Sequence, residues 1–145
     1  MNVSEIEISY KSKAQENVVI RNSNDVYDLI LSKWNKDIIE YQEEVKLLLL
    51  NKSNKVLGTV DLAKGGTTGC IVDIKIIVAI ALKTNSHGII LIHNHPSGNL
   101  NPSIRDRDIT EKLQKACNYL DLKLLDHLII SNNGYFSFAD KELLQ

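Results

Sequence analysis

The chain of 145 residues has an almost balanced charge, with 17 basic and 18 acidic side chains and a net charge of −1. This balance offers no global electrostatic attraction for a nucleic-acid backbone, although a local basic patch stays open. With 43% hydrophobic residues, the length predicts one compact domain over residues 1–145, and the apolar runs are too short to span a bilayer.

The N-terminus and the cysteines both favour a cytoplasmic protein. Glu5 and Glu7 lie in a segment that fits neither a secretory signal nor a membrane anchor. Cys70 and Cys117 are far apart and match no metal-binding or disulfide spacing, which favours free, buried thiols in a reducing compartment. We therefore expect a cytoplasmic location and no membrane partner.

The first half of the chain predicts a strand, a helix and a hairpin. Alternating apolar and polar residues predict an edge strand over 3–12. Apolar residues at helical spacing predict a helix that is capped by Ser23 and Asp25 and ends near Gln42. Two β-prone runs within 43–62, separated by a polar turn, predict a hairpin.

The second half predicts further alternation of helices and strands. A glycine-containing loop over 63–70 lacks the spacing of a phosphate-binding loop. Residues 72–85 are apolar nearly all round and predict a buried helix, followed by a buried strand over 87–93. The last predicted elements are a helix from near Ser103 to just before Asp121 and strands over 123–130 and 135–139. The sum is an α/β fold with a mixed, largely antiparallel central sheet flanked by helices.

The stretch "HNHPSGNLNPSIRD" gathers residue types that bind metals. His93 and His95 point the same way from an extended segment, because side chains alternate between faces. A turn after His95 leads to a helix start at Ser103, whose first turn holds Asp106. Two imidazoles and a carboxylate would leave the fourth position of a tetrahedral zinc ion to water, as catalytic sites require.

Each part of this pattern also has a simpler explanation. Ser103 with Asp106 three residues later fits a capping box, and a helix start favours a negative side chain without any metal. Histidines at strand ends are often simply hydrogen-bonded. Only the conjunction of all these residues favours a metal site.

The spacing HxH, seven residues, Ser, two residues, Asp resembles the signature of the JAMM (MPN+, JAB) metalloproteases. "LIHNHPSGNLNPS" together with "LLDHLII" resembles the RadC-like branch, from about Glu40 to Ala139. The resemblance implies the layered JAMM/MPN fold, which is similar to that of cytidine deaminases. It also implies that His93, His95 and Asp106 bind Zn²⁺.

The same resemblance implies a glutamate base at the start of an upstream strand and a serine that stabilises the oxyanion. In "QEEVKLLLL", Glu44 directly before the apolar run is the better match for the base, and Glu43 is the fallback. Ser103 matches the serine. Asp126 and His127 are expected to form a structural hydrogen-bonded pair, because buried polar groups need partners; the alternative is a role in supporting the site or in binding substrate.

Three functions are open from the sequence. The first is a zinc-dependent peptidase or isopeptidase that acts on an unidentified peptide or protein through a Glu-activated, zinc-bound water. The same chemistry could attack a phosphodiester.

The second is a DNA repair or recombination factor, as the RadC label suggests. The first forty or so residues show no pattern of the helix-hairpin-helix segment that longer RadC-like proteins carry, so we expect a short form without it, and the charge does not support nucleic-acid binding. The third is a metal-stabilised interaction module. Substrate and oligomeric state stay open.

Overall fold

The computed structural model describes residues 1–13, 16–66 and 71–145. Within these ranges, helices and strands follow one another along the chain in the order α1 (Ser23–Lys33), β1 (Glu44–Leu50), β2 (Val56–Lys64), α2 (Ile74–Lys83), β3 (Gly88–Asn94), α3 (Ile104–Asn118), β4 (Lys123–Ser131) and β5 (Gly134–Ser137).

The strands form one mixed sheet in the order β2-β1-β3-β4-β5. Only β3 and β4 are parallel, and the other neighbours are antiparallel. The parallel pair is joined through α3, since parallel neighbours need a long crossover connection. The predicted α/β class with a largely antiparallel central sheet is confirmed, and so is the predicted hairpin, which forms β1 and β2.

Helices cover both faces of the sheet. Val26 and Ile30 of α1 pack on one face, in a cluster that includes Leu48 of β1. α2 and α3 cover the other face, in a cluster that includes Leu47 and Leu113. Because both faces are covered, β1 and β3 are buried at every position.

Helix α1 begins and ends elsewhere than predicted. Asn22, rather than Ser23 or Asp25, is the N-cap, since its side chain accepts a hydrogen bond from the backbone N–H of Asp25. Trp34 adopts an extended backbone (φ −83°, ψ 141°), so the helix stops before it and not near Gln42. Trp34 is buried in the core, so the helical spacing of apolar residues continues in the sequence beyond the end of α1.

The N-terminal strand prediction is wrong. No residue of 3–12 is in a strand, and Ile6 and Ile8 are exposed. Within the described ranges before α1, a single bridge joins Val19 to Lys55, the residue directly before β2. The alternation of apolar and polar residues is a property of one segment alone. A strand also needs a neighbouring strand that forms hydrogen bonds with its backbone.

Helix α2 forms where predicted but is not buried all round. Ile77 and Ala81 face the sheet, while the side chains of Ile76 and Leu82 are about half exposed, at 52% and 53%. A helix on the outside of a sheet buries only one stripe, whatever its composition. No helix in the described ranges is long and apolar enough to cross a bilayer.

The loop predicted over 63–70 is only partly described. Ala63 and Lys64 belong to β2, and residues 67–70, with Cys70, lie outside the described residues. Cys117 is a buried free thiol in α3, as expected. Burial raises its pKa to about 11.

Asn94, at the end of β3, ties the segment before β1 to the sheet. Its side chain is fully buried; Oδ1 accepts from the backbone N–H of Glu44 at 2.7 Å. Its Nδ2 donates to the carbonyls of Ile39 at 2.7 Å and Gln42 at 2.9 Å. One amide thus fixes the backbone on both sides of Glu43.

Replacing Asn94 should therefore be costly. In Asn94→Ala, buried backbone groups lose their partners, so we expect the free energy of unfolding to fall by about 3 kcal/mol in urea titrations. The matched control is Asn132→Ala, which removes one exposed hydrogen bond to Glu40. This control should change stability by less than about 0.5 kcal/mol. Equal effects of the two substitutions would contradict the proposed anchoring.

Cys117 should resist alkylation in the folded chain, because the reactive thiolate is scarce at pH 8 when the thiol pKa is about 11 and the sulfur is buried. Peptide mapping after iodoacetamide treatment should find the Cys117 peptide unmodified in buffer and modified in 8 M urea. Modification at the same rate in both conditions would contradict its burial.

Candidate metal centre

Three side chains from two elements converge at the end of β3. The Nε2 atoms of His93 and His95 are 3.0 Å apart. The carboxylate of Asp106, in the first turn of α3, lies 3.2 Å from His93 Nε2 through Oδ1 and 3.1 Å from His95 Nε2 through Oδ2. The structure thus brings together all three predicted metal ligands.

These residues fit a zinc ion in both chemistry and spacing. Two imidazole nitrogens and a carboxylate oxygen are a common zinc donor set, and bonds of about 2.0–2.1 Å in a tetrahedron place neighbouring ligand atoms roughly 3.3 Å apart. The observed separations of 3.0–3.2 Å are close to that value. The cluster could therefore bind a metal ion.

A tight turn after β3 orients His95. Its carbonyl accepts from the N–H of Gly98, whose φ of +81° favours glycine. Its ring Nδ1 lies 2.5 Å from the carbonyl oxygen of Asn99. A carbonyl can only accept, so Nδ1 carries a proton and the neutral ring presents its lone pair at Nε2. Burial lowers the pKa of His95, but Asp106 and the carbonyl of Asn99 stabilise the charged form of the ring, and their effect outweighs burial and raises the pKa.

Asp106 serves the helix and the site together. The backbone N–H of Ser103 donates to Asp106 Oδ2 at 2.8 Å, and the N–H of Asp106 donates to Ser103 Oγ at 3.0 Å, which completes the capping box. Burial alone would raise the pKa of Asp106, but the adjacent rings of His93 and His95 and the hydrogen bond from the Ser103 backbone favour the charged carboxylate and hold the pKa well below its usual range. The capping explanation and the ligand explanation are therefore compatible.

The structure places Glu43, and not Glu44, at the site. Glu43 Oε1 lies 3.9 Å from His93 Nε2, whereas Glu44 Oε1 lies 3.3 Å from the ammonium of Lys64. Val45 lies opposite His93 in the β1–β3 ladder, and side chains alternate along β1, so odd-numbered residues share the face of the histidines. The expected position of Glu44 is therefore corrected, while the role of either glutamate as a base stays a prediction.

The backbone of Glu43 is fixed beside the end of β2. Its carbonyl accepts from the N–H of Gly65 at 2.8 Å, and its own N–H donates to the carbonyl of Gly66 at 3.4 Å. Burial raises the pKa of the Glu43 carboxyl, and the nearby His93 and His95 oppose this rise. The carboxylate is thus a stronger proton acceptor than an ordinary surface glutamate would be, at a position next to the candidate metal site.

The cluster opens into a cavity of about 590 Å³. Glu43, Ser103 and Asp106 contribute oxygens to its wall. The remaining lining combines apolar side chains with exposed basic residues, and includes Val45, Val72, Leu91, Ile109, Arg105 and Lys112. Ser103, predicted as the oxyanion donor, therefore lies in the same cavity as the candidate ligands.

The expected pairing of Asp126 with His127 does not form between their side chains. The Asp126 carboxylate accepts from Ser137 Oγ at 2.6 Å, from the Ala139 N–H at 3.0 Å and from the backbone N–H of His127 at 2.7 Å. The buried His127 ring instead lies 2.8 Å from His93 Nδ1, through its Nε2. The signal for this contact in the sequence is the ionisable His127 within an apolar strand. The sequence does not show that this strand lies beside β3, and so the contact with His93 was missed.

Comparison with known proteins agrees with this architecture. The sequence model of the family described as "RadC-like JAB domain" matches residues 20–143. A UPF0758 protein of Flavobacterium johnsoniae is 50% identical over 68% of this chain and 43% of its own length. A UPF0758 protein of Aquifex aeolicus is 36% identical over 96% of this chain and 59% of its own length.

A third UPF0758 protein, from Clostridium tetani, is 36% identical over 91% of this chain and 57% of its own length. The chain thus spans about half the length of the curated relatives it matches. The family match covers β1 to β5 and contains every residue of the candidate metal centre. On these grounds, the chain belongs to the RadC-like JAB domain family.

Proposed function

We propose that this chain is a zinc-dependent hydrolase of peptide or isopeptide bonds, with His93, His95 and Asp106 as metal ligands and Glu43 as the base. One observation carries the proposal: a second carboxylate, that of Glu43, approaches the His-His-Asp cluster at the wall of a substrate-sized cavity. A purely structural metal site would not need this carboxylate.

When bound, zinc supplies a Lewis acid that polarises a carbonyl and makes water acidic near neutral pH. Glu43 takes the proton from the attacking water and delivers it to the leaving amine as the C–N bond breaks. Its raised pKa suits both steps, because the same group must accept and then release the proton. The products are a carboxylic acid and an amine, so atoms balance without a further reactant.

In the proposed reaction, Ser103 binds the carbonyl oxygen of the substrate. Its Oγ already accepts from the N–H of Asp106, which leaves the hydroxyl proton free to be donated into the cavity. A donor aimed at a developing oxyanion typically lowers the barrier by about 3 kcal/mol.

The cavity wall supports a peptide-like substrate. Val45, Val72 and Ile109 provide apolar contacts, while the exposed Arg105 provides a positive charge. This combination suits an extended chain with an apolar side chain near the cleaved bond. A small number of polar groups among apolar side chains is usual in ligand sites.

The proposal requires one zinc ion per chain. After dialysis against chelator, the wild-type chain should take up one equivalent of Zn²⁺, and His93→Ala and Asp106→Asn should each weaken binding at least 100-fold in competition titrations. His87→Ala is the matched control, because His87 is exposed and outside the cluster. Zinc uptake that is unchanged in the ligand variants would contradict the site.

The neighbouring glutamates allow a sharp test of the base. Glu43→Gln should keep zinc but lower the turnover of peptide or isopeptide libraries at least 100-fold, because proton transfer is lost. Glu44→Gln, whose side chain pairs with Lys64, should leave turnover within about threefold.

The opposite pattern would restore Glu44 as the base. A zinc-loaded wild type that cleaves no library member, with Glu43→Gln indistinguishable from it, would contradict the hydrolase and favour a structural metal site.

A further inference from the structure

A chain of buried polar contacts runs from helix α3 to the metal cluster. Thr110 Oγ1 lies 2.6 Å from the backbone oxygen of Asp106 and 2.6 Å from His127 Nδ1. His127 Nε2 then lies 2.8 Å from His93 Nδ1. We call Thr110, His127 and His93 the imidazole chain. Neither the family comparison nor the proposed reaction assigns a role to Thr110 or His127.

The proton positions in the imidazole chain follow from what each atom can do. The carbonyl of Asp106 can only accept, and two oxygens approach to 2.6 Å only with a proton between them. That proton is the single proton of the Thr110 hydroxyl, so Thr110 cannot also donate to His127. In the contact between Thr110 and His127, the donor is therefore the N–H at His127 Nδ1, and Thr110 Oγ1 accepts.

A neutral His127 then has a lone pair at Nε2. The ring is 1% exposed, and among the described residues no carboxylate hydrogen-bonds to its nitrogens, so a charged ring would lack compensation. The contact of 2.8 Å with His93 must therefore use the proton on His93 Nδ1. This leaves the lone pair of His93 at Nε2, the atom that faces His95 and Asp106.

We infer that Thr110 and His127 are positioning residues, which hold His93 in the one neutral tautomer whose Nε2 can bind a metal. This inference rests on the metal site of the proposed function, but it concerns the ligand and not the hydrolysis. His95 obtains the same tautomer from the carbonyl of Asn99, so each imidazole has its own partner. Outer partners of this kind typically change metal affinity 10- to 100-fold.

The packing around His127 supports a dedicated position. Its ring stacks on Phe138 with centroids 4.7 Å apart and planes at 7°. Leu91 lies opposite His127 in the parallel β3–β4 ladder, so His127 shares the sheet face of His93. The strand and the stacked ring together fix the plane of His127, and that plane sets the direction of its Nε2 lone pair.

The test uses two substitutions of similar shape and one conservative control. His127→Phe keeps a ring that can stack on Phe138 but removes the acceptor for His93. Thr110→Val keeps the shape of the side chain but removes the hydroxyl, whereas Thr110→Ser keeps the hydroxyl. Zinc affinity of the full chain is measured by chelator competition, and the proton of each imidazole is located by long-range ¹H–¹⁵N NMR on the metal-free chain.

We expect metal-free wild type to carry the proton of His93 on Nδ1, and His127→Phe and Thr110→Val to weaken zinc binding at least tenfold. Thr110→Ser should stay within threefold of wild type. Finding the His93 proton on Nε2 in wild type, or a loss below tenfold in His127→Phe, would overturn the inference. An equal loss in Thr110→Val and Thr110→Ser would also overturn it, because the hydroxyl would then be irrelevant.

Failure of this inference can be distinguished from failure of the proposed function. If the wild type hydrolyses no substrate but the variants lose zinc affinity as expected, the proposed hydrolase function is contradicted, whereas the positioning role of Thr110 and His127 is supported. If Thr110→Val or His127→Phe does not fold, the NMR measurement on wild type still decides the tautomer.

Discussion

The register between β1 and β3 is the constraint on which the candidate site depends. Val45 lies opposite His93, and this pairing puts Glu43 on the face of the ligands. Side chains alternate along a strand, so a slip by one residue would turn Glu43 away and bring Glu44 into the cavity. Asn94 helps hold this register from the opposite face, since its amide bonds the backbone on both sides of Glu43.

Much of the fold and the convergence of the three candidate metal ligands could be predicted from the sequence, because their signals are local. Helical spacing located α2 and α3, and a polar turn between β-prone runs located the hairpin. The ligands lie within fourteen residues, where one strand end, one turn and one helix start determine their approach. The sequence predicted that α3 begins near Ser103, and Ser103 is the N-cap of α3 in the structure.

Other features depend on contacts between distant segments, and no local pattern encodes them. Both faces of β1 are covered, so its residues are uniformly buried and the usual alternation, which would separate Glu43 from Glu44, is lost. His127 is next to His93 only because β4 pairs in parallel with β3. The end of α1 was missed because the buried Trp34 continues the apolar spacing after the backbone has left the helix.

The two explanations of Asp106 that competed in the sequence describe one physical arrangement. A capping box orients its carboxylate toward the helix N-terminus, and the same hydrogen bonds with Ser103 leave the oxygens of Asp106 facing the imidazoles. His95 is held by Asn99 and His93 by His127, so every ligand is oriented by a partner within the protein. Ligands that are already ordered lose little conformational entropy on binding. The helix cap, the turn after β3 and the imidazole chain would therefore favour metal binding at the candidate site through the same mechanism, which is preorganisation of the candidate ligands.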